Sequence, residues 1–411
     1  MPAARPSDLK LNNRRQILEL FKFGAVHSVA HLSHEVGVSR QTVMKNIQFF
    51  LEKGIIVSDG KADSGSMGGK RAELFKLAGD RYLLSAIVCS DAVSITLINF
   101  RCEVIEDRVL KDTDGLNTDA LVEAVSSACE RMLEERGIDR ETVHGFCVTA
   151  TGPVGAEGAT RFNAIHPDWG KRVPIAEAFR KHLGPDMTVI AENLGKVCGC
   201  AAMTGPGVAG ERLATVLTFR DDVSACLIVD GQTVSGREDY VSELGHMVVN
   251  SGDDEVCGCG SRGCLERLIS VSRLQKLCAE NAERFPDSSL LNLQRDSISV
   301  QDVFAASAAG DPLARWLSQY AARQFADALR NLALIFNPDR MVLQGDYASA
   351  DEVFLETLRG ELSAFRCFSR CGEAQMPFRL DIDTRPLQTL STLGAYTLLI
   401  DLLFADETNY V

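Results

Sequence analysis

The sequence predicts an α/β protein with an N-terminal winged helix-turn-helix. Three observations predict it. Short helical patterns, capped by serine and closed by glycine, fill the first sixty residues. From about residue 81, short apolar strands alternate with amphipathic helices, the texture of an α/β body. Further on, one histidine and three cysteines fall within twenty residues, at a spacing suited to a metal. With 411 residues, the chain has length for about three domains.

The N-terminal elements follow from their caps. Asn12 and Asn13 precede a first helix from Arg14, in which Ile17, Leu18 and Phe21 recur at helical spacing and which Gly24 ends. Ser28 caps a second helix, residues 29–36, and Gly37 closes it. Ser39 caps a third, residues 40–52, whose Val43, Ile47, Phe50 and Leu51 share an inward face. Gln41, Lys45 and Gln48 point the other way, where a recognition helix meets the major groove. Ser39 and Thr42 at the helix start join that contact set. Arg40 falls on the inner side of the wheel and is assigned to phosphate. Gly54-Ile-Ile-Val begins a strand, and the Gly/Ser-rich run to Gly69 is a wing or flexible arm. Lys70 and Arg71 after it could reach the minor groove or phosphates. The alternative for this region is a small helical protein-interaction domain.

Charge supports the first reading. Net charge is −13, but residues 1–80 hold twelve Lys/Arg against eight Asp/Glu, a net of +4. A mildly basic module on an acidic body suits operator DNA as the module's partner. The N-terminus lacks the apolar core of a signal peptide, and no run of about eighteen apolar residues suggests a membrane-spanning helix. Thirteen cysteines without an export signal point to a cytoplasmic protein with reduced thiols, some on metal.

In the body, residues 83–100 read as a hairpin, 118–136 as a helix, 143–150 and 188–191 as strands, 213–229 as strand-forming, and about 390–404 as a helix. The metal-type stretch is residues 243–266. His246, Cys257, Cys259 and Cys264 make a Cys3His set that closes a tetrahedral zinc site, and Gly258, Gly260 and Gly263 let the sulfurs converge. Glu243 and Glu266 bracket the set without being needed as ligands, which frees two carboxylates to grip hydroxyl groups. The bland reading is three incidental buried cysteines and a core histidine. The other ten cysteines read as small buried hydrophobes, and His27, His31 and His34 as surface histidines.

The stretch Glu243, Gly245, His246, Cys257, Cys259, Gly260, Gly263, Cys264 and Glu266 resembles the Glu-x-Gly-His and Cys-x-Cys-Gly-x-x-Gly-Cys-x-Glu motif of the ROK family, which holds repressors and sugar kinases. The resemblance implies a structural zinc on the histidine and cysteines, and sugar contacts from Asn193, Glu243, His246 and Glu266. It implies a two-lobed actin-like (ribonuclease H-like) ATPase-type body. The domains are then 1–80 for DNA, 81–190 for the first lobe completed by 390–411, and 191–389 for the second lobe. Residues 163–169 resemble a family segment near the sugar cleft; a loop with a packed Trp169 is an equal reading.

Kinases of the family carry motifs that this chain has lost. The Asp-x-Gly-Gly-Thr loop corresponds to residues 87–95, which lack glycine. Gly-Thr-Gly-x-Gly aligns with residues 219–223, where Asp221 and Asp222 would face nucleotide phosphates. Leu-Gly-Gly-Gly has become Leu343-Gln344-Gly345-Asp346, and the catalytic Glu-Asn-Asp-Ala-Asn reads Glu192-Asn193-Leu194-Gly195-Lys196. Leucine cannot take the hydroxyl proton that a kinase base must accept. The expectation is a catalytically inactive, sugar-responsive transcriptional regulator of carbohydrate genes, a repressor acting as a homodimer or homotetramer. The alternatives are an ATP-dependent sugar kinase, or a DNA-binding protein whose sugar site is also dead.

Overall fold

Serine caps and left-handed glycines set the ends of the N-terminal helices. The computed structural model describes residues 6–62, 71–89, 92–155, 157–161, 172–204, 210–236, 241, 243–365, 367, 376 and 378–405. Helix α1 (Pro6–Leu20) begins before the predicted Arg14, so Asn12 and Asn13 lie within it. Burial of Ile17 and Leu18 on this helix outweighs the weak helix preference of asparagine. Strand β1 (His27–Ser28) leads into α2 (Val29–Val36), where Ser28 Oγ accepts from His31 N, and Gly37 ends the helix at φ 72°. In α3 (Arg40–Glu52), Ser39 Oγ accepts from Thr42 N at 3.1 Å.

Val43, Ile47 and Phe50 of α3 are fully buried as expected. Leu51 is not: it is exposed, and Asn46 takes the inward place. The reason is Arg14, a buried guanidinium whose Nε donates to Asn46 Oδ1 at 3.3 Å. A buried cation needs such an acceptor. Strands β2 (Ile56–Lys61) and β3 (Glu73–Leu77) pair antiparallel, and β1 joins on the far side of β3. This is the winged helix-turn-helix. The tip of the wing and Lys70 lie outside the described residues. His31 and His34 are exposed, but His27 is half-buried, stacked on His31 with 4.6 Å between ring centroids.

The body repeats one strand order twice. Strands β4 (Tyr82–Val88), β5 (Ala92–Asn99) and β6 (Val104–Lys111) form an antiparallel ribbon, followed by α4 (Thr118–Arg136). Then come β7 (Val143–Ala150), the short pair β8 (Thr160–Arg161) and β9 (Arg172–Val173), α5 (Ile175–Leu183) and β10 (Thr188–Asn193). The sheet order is β10-β7-β4-β5-β6, with β7 parallel to β4.

After α6 (Leu194–Cys200), strands β11 (Leu213–Phe219), β12 (Asp222–Val229) and β13 (Gln232–Thr233) form a second antiparallel ribbon. Helices α7 (Leu265–Ile269), α8 (Val271–Glu280), α9 (Val300–Ala308) and α10 (Pro312–Phe336) follow, then β14 (Arg340–Gly345), α11 (Glu352–Ser363) and β15 (Arg379–Asp383). The order β13-β12-β11-β14-β15 matches the first sheet, again with the fourth strand parallel to the first. Two such sheets, each with helices, make the two-lobed actin-like body. The chain divides into two compact units, one of residues 1–150, 157–192 and 392–411, the other of residues 151–156 and 193–391.

The last helix, α12 (Leu387–Ala405), covers the helix expected at about 390–404. Among the described residues it is the one helix long and apolar enough to cross a membrane, with a mean hydropathy of 1.3. Its threonines and serine break any continuous apolar run. Its surface is turned to protein instead: Leu390, Tyr396, Leu399, Ile400 and Phe404 are buried. Cysteines divide too. Cys198, Cys200, Cys129, Cys147, Cys226 and Cys278 are buried as expected, whereas Cys89 and Cys102 are half-buried and Cys367 is exposed.

Helix α12 also anchors the N-terminal module within the first unit. Lys22, nearly buried, pairs with Asp401 and Glu19. Tyr396 Oη donates to Phe100 O at 2.7 Å and accepts from Phe23 N at 3.4 Å. Arg81 reaches back to Lys53 O at 2.7 Å and Gly54 O at 3.2 Å. Burial raises the Asp401 carboxyl pKa, and the Lys22 charge opposes that. Removing one partner leaves the other charge poorly solvated. Asp401→Ala therefore lowers stability by about 1–3 kcal/mol, with Asp401→Asn intermediate, as checked by denaturant unfolding; unchanged unfolding would mean that the junction carries no weight.

Candidate functional site

The site is built on a knot of tight turns between β12 and α8. Glu243 opens a single 3-10 turn, Leu244–His246, that lies against β12. A side chain at Gly245 would meet Val223 O at 2.4 Å and Glu266 Oε2 at 2.9 Å, so only glycine allows this approach. The chain then returns on itself. Val249 N donates to Gly263 O at 2.9 Å, and Leu265 N to Met247 O at 2.9 Å. Gly263 has φ 72°, and a Cβ there would lie 1.8 Å from Asn250 O. Arg273 of α8 holds the outer loop by Asp253 at 2.7 Å and Glu255 at 3.1 Å.

These turns bring His246, Cys257, Cys259 and Cys264 together. Their ligand atoms all lie within 4.8 Å of one another. Cys257 Sγ is 3.4 Å from His246 Nδ1, and Cys259 Sγ is 3.6 Å from Cys264 Sγ. Sulfur ligands at about 2.3 Å from a tetrahedral ion stand about 3.8 Å apart, so the donor set fits such an ion. Cys257 and Cys264 are buried, whereas Cys259 is exposed. The set could hold a metal, and the incidental-cysteine reading does not account for this convergence.

The two glutamates flank the histidine on opposite sides. Glu243 Oε2 is 3.9 Å from His246 Nε2, and Glu266 Oε1 is 3.2 Å from His246 Nδ1. The hydrogen bond to Glu266 raises the His246 pKa to about 9 despite burial. Burial raises the Glu243 carboxyl, and the positive charge of His246 opposes it.

Glu243, His246 and Glu266 line one pocket with Thr151, Gly152, Asn193, Leu194, Leu217, Phe219, Asp222 and Ser224. Its empty space, counting open solvent at the mouth, is about 530 Å³. Asn193 is in the pocket wall, but its amide is engaged there. Oδ1 accepts from Gly195 N at 2.8 Å and Lys196 N at 3.2 Å, capping α6, and Nδ2 donates to Gly152 O at 2.7 Å. Leu194 beside it is buried. The segment 163–169 lies outside the described residues.

The chain is similar to proteins of known kind. A model of the ROK family matches residues 89–398. The chain belongs to the ROK family. Among its relatives is the xylose repressor of Caldicellulosiruptor bescii, 23% identical over 353 residues, 85% of this chain and 87% of that protein. A glucokinase of Halalkalibacterium halodurans is 21% identical over 289 residues, covering 70% of this chain and 86% of its own. Among solved structures, a ROK family transcriptional regulator described as a homologue of the Escherichia coli MLC protein aligns with TM-score 0.78 and 19% identity, over 97% of both chains.

Relatives of both kinds turn attention to residues 219–223 and 343–346. The strands β11 and β12 join through a two-residue turn, and this separates the two aspartates. Asp221 turns toward α8, where its Oδ1 accepts from Ser272 N at 3.1 Å. Asp222 faces the pocket instead. Protein crowded around it raises its carboxyl pKa to about 6, with the charges of Glu266 and Asp221 adding. Its side chain still keeps an open face to solvent. Asp346 accepts from Arg220 N at 2.7 Å, and Gln344 is fully buried with Nε2 3.2 Å from Cys198 O.

Sequence reasoning therefore treated Asp221 and Asp222 as one pair, although Asp221 belongs to the turn and Asp222 to β12. It also missed Thr151, Ser224 and Met44. Met44 is 47% exposed on α3, on the face shared by the exposed Gln41, Lys45 and Gln48. Ser39, Arg40 and Arg71 are exposed, and Thr42 is half-buried. The inner-side placing of Arg40 is thus corrected, because the first turn of α3 projects past the packed core.

Proposed function

We propose that this ROK member is a sugar-responsive DNA-binding regulator of carbohydrate genes, a repressor without kinase activity. The observation that carries the reading is the exposed polar face of α3 in a winged helix-turn-helix joined to a ROK body. Gln41 and Lys45 read base edges, Met44 packs on a thymine methyl, and Ser39, Arg40, Thr42, Lys70 and Arg71 hold phosphate or minor groove. Two modules in a homodimer or homotetramer would meet half-sites about one helical turn apart.

In this reading, zinc is held by His246, Cys257, Cys259 and Cys264, and it supplies a rigid tetrahedral centre. His246 binds it through Nδ1, on the cysteine side, and turns Nε2 toward Glu243. Glu243, Glu266 and Nε2 then grip sugar hydroxyls, while Asn193 holds the pocket wall. The repressor relatives support a regulator of this kind. The glucokinase relatives support the alternative, an ATP-dependent sugar kinase. Leu194, Asp221 and Asp346 speak against it, because the pocket has no base at position 194 and carboxylates stand where kinases of the family carry phosphate-cradling glycines.

Two outcomes separate these readings. A coupled assay with ATP and a panel of monosaccharides should show turnover far below the roughly 1–100 per second usual for kinases; turnover in that range would make the chain an enzyme. In anisotropy titrations against DNA from upstream of its own gene, Gln41→Ala should relax preference at one base position at a cost of about 1–3 kcal/mol. Arg71→Ala should weaken all sequences alike and flatten the salt dependence. Absence of any sequence preference, with Gln41→Ala silent, would leave a protein-interaction domain in its place.

A further inference from the structure

The pocket of the second unit has an unusual charge balance. Three carboxylates line it: Asp222, Glu243 and Glu266. Among the described residues lining it there is no lysine or arginine. The N-terminus of α6, a natural seat for an anion, is already filled, because Asn193 Oδ1 takes the N–H groups of Gly195 and Lys196. The rest of the wall is apolar or hydroxylic: Leu194, Leu217, Phe219 and Val223 with Thr151 and Ser224.

Asp222 stands apart from its neighbours in this wall. Asp221 is committed to Ser272 N. Glu266 Oε1 lies beside two members of the metal set, 3.2 Å from His246 Nδ1 and 3.0 Å from Cys257 Sγ. Among the described residues, no protein donor stands within hydrogen-bond reach of the Asp222 carboxylate. A carboxylate only accepts hydrogen bonds when ionised, and it has room for several. A sugar hydroxyl can supply the missing hydrogen; a phosphate ester brings further negative charge.

We propose that Asp222 is the specificity-determining residue of this pocket, accepting a hydroxyl of an unphosphorylated sugar and excluding sugar phosphates. This rests on the sugar-binding reading above. Leu194 and Phe219 offer apolar surface to the C–H groups of the ring, while Asp222, beside Phe219 across the hairpin, and Glu243 take hydroxyls. A phosphoryl group in the same pocket would meet three carboxylates with no lining lysine or arginine and no unfilled helix N-terminus to offset them.

The test is calorimetry on the full-length, zinc-loaded protein. The ligands are glucose, xylose, N-acetylglucosamine and glucosamine, and the phosphate esters of each. At least one parent sugar should bind, with its phosphate ester at least about tenfold weaker, a gap of about 1.4 kcal/mol. Asp222→Asn, which keeps shape and removes charge, should narrow that gap; Asp222→Ser should weaken the parent sugar. Circular dichroism of both variants verifies folding. A phosphate ester that binds as tightly as its parent overturns the proposal, as does Asp222→Asn with both affinities unchanged. If such an ester also shifts operator affinity, the regulator reading stands while this inference falls. Binding by no member of the panel overturns both.

Discussion

The convergence of one imidazole and three thiols is the constraint on which the site depends. Residues 243–266 contain little regular structure: one 3-10 turn, two isolated bridges and the start of α7. Its turns are tied by scattered backbone hydrogen bonds rather than by a continuous ladder, so conformational entropy weighs heavily on it. Yet it presents Glu243 and Glu266 on either side of one histidine, 3.9 and 3.2 Å away. A tetrahedral ion on the four converged ligands would remove that entropy, because binding at a site of this kind is folding free energy for the segment. The ion pairs from Arg273 and Lys276 to Asp253 and Glu255 fasten the loop to α8, a weaker and more screened restraint.

Two glycines make the knot possible, and both are explained by distance. Gly245 lets the turn lie against β12, and Gly263 lets the returning strand pass the carbonyl of Asn250. Any side chain at either point would force the backbone apart and carry Glu243 or Cys264 with it. The same logic explains why the site lies beside β12. The hairpin of β11 and β12 brings Asp222 and Ser224 to the pocket and sends Asp221 to α8.

Much of this was legible in the sequence because it depends on local chemistry. The metal-type cluster, the Ser28 and Ser39 caps, the helix at 118–136 and the strand at 143–150 all follow from nearby residues. What escaped depends on residues far apart in the chain. Asn46 turns inward because Arg14 lies across from it. Asn193 is absorbed by the backbone of Gly152, forty-one residues away. Helix α12 is apolar because it serves as a core helix, which neither its composition nor its length can reveal. The role of Asp222 needed the register of β11 against β12, since one residue of slip would have exchanged it with Asp221.

In the proposed reading one order of cause joins metal, carboxylates and sugar: an ion would fix the knot, the knot would place the glutamates, and the glutamates would hold the ligand. The most direct measurement is sugar affinity by calorimetry on one preparation, before zinc removal, after it, and after zinc is restored. The account predicts a loss of at least about tenfold without zinc, recovered when zinc returns, with the helix content by circular dichroism largely kept. Equal affinity in the metal-free protein would contradict it.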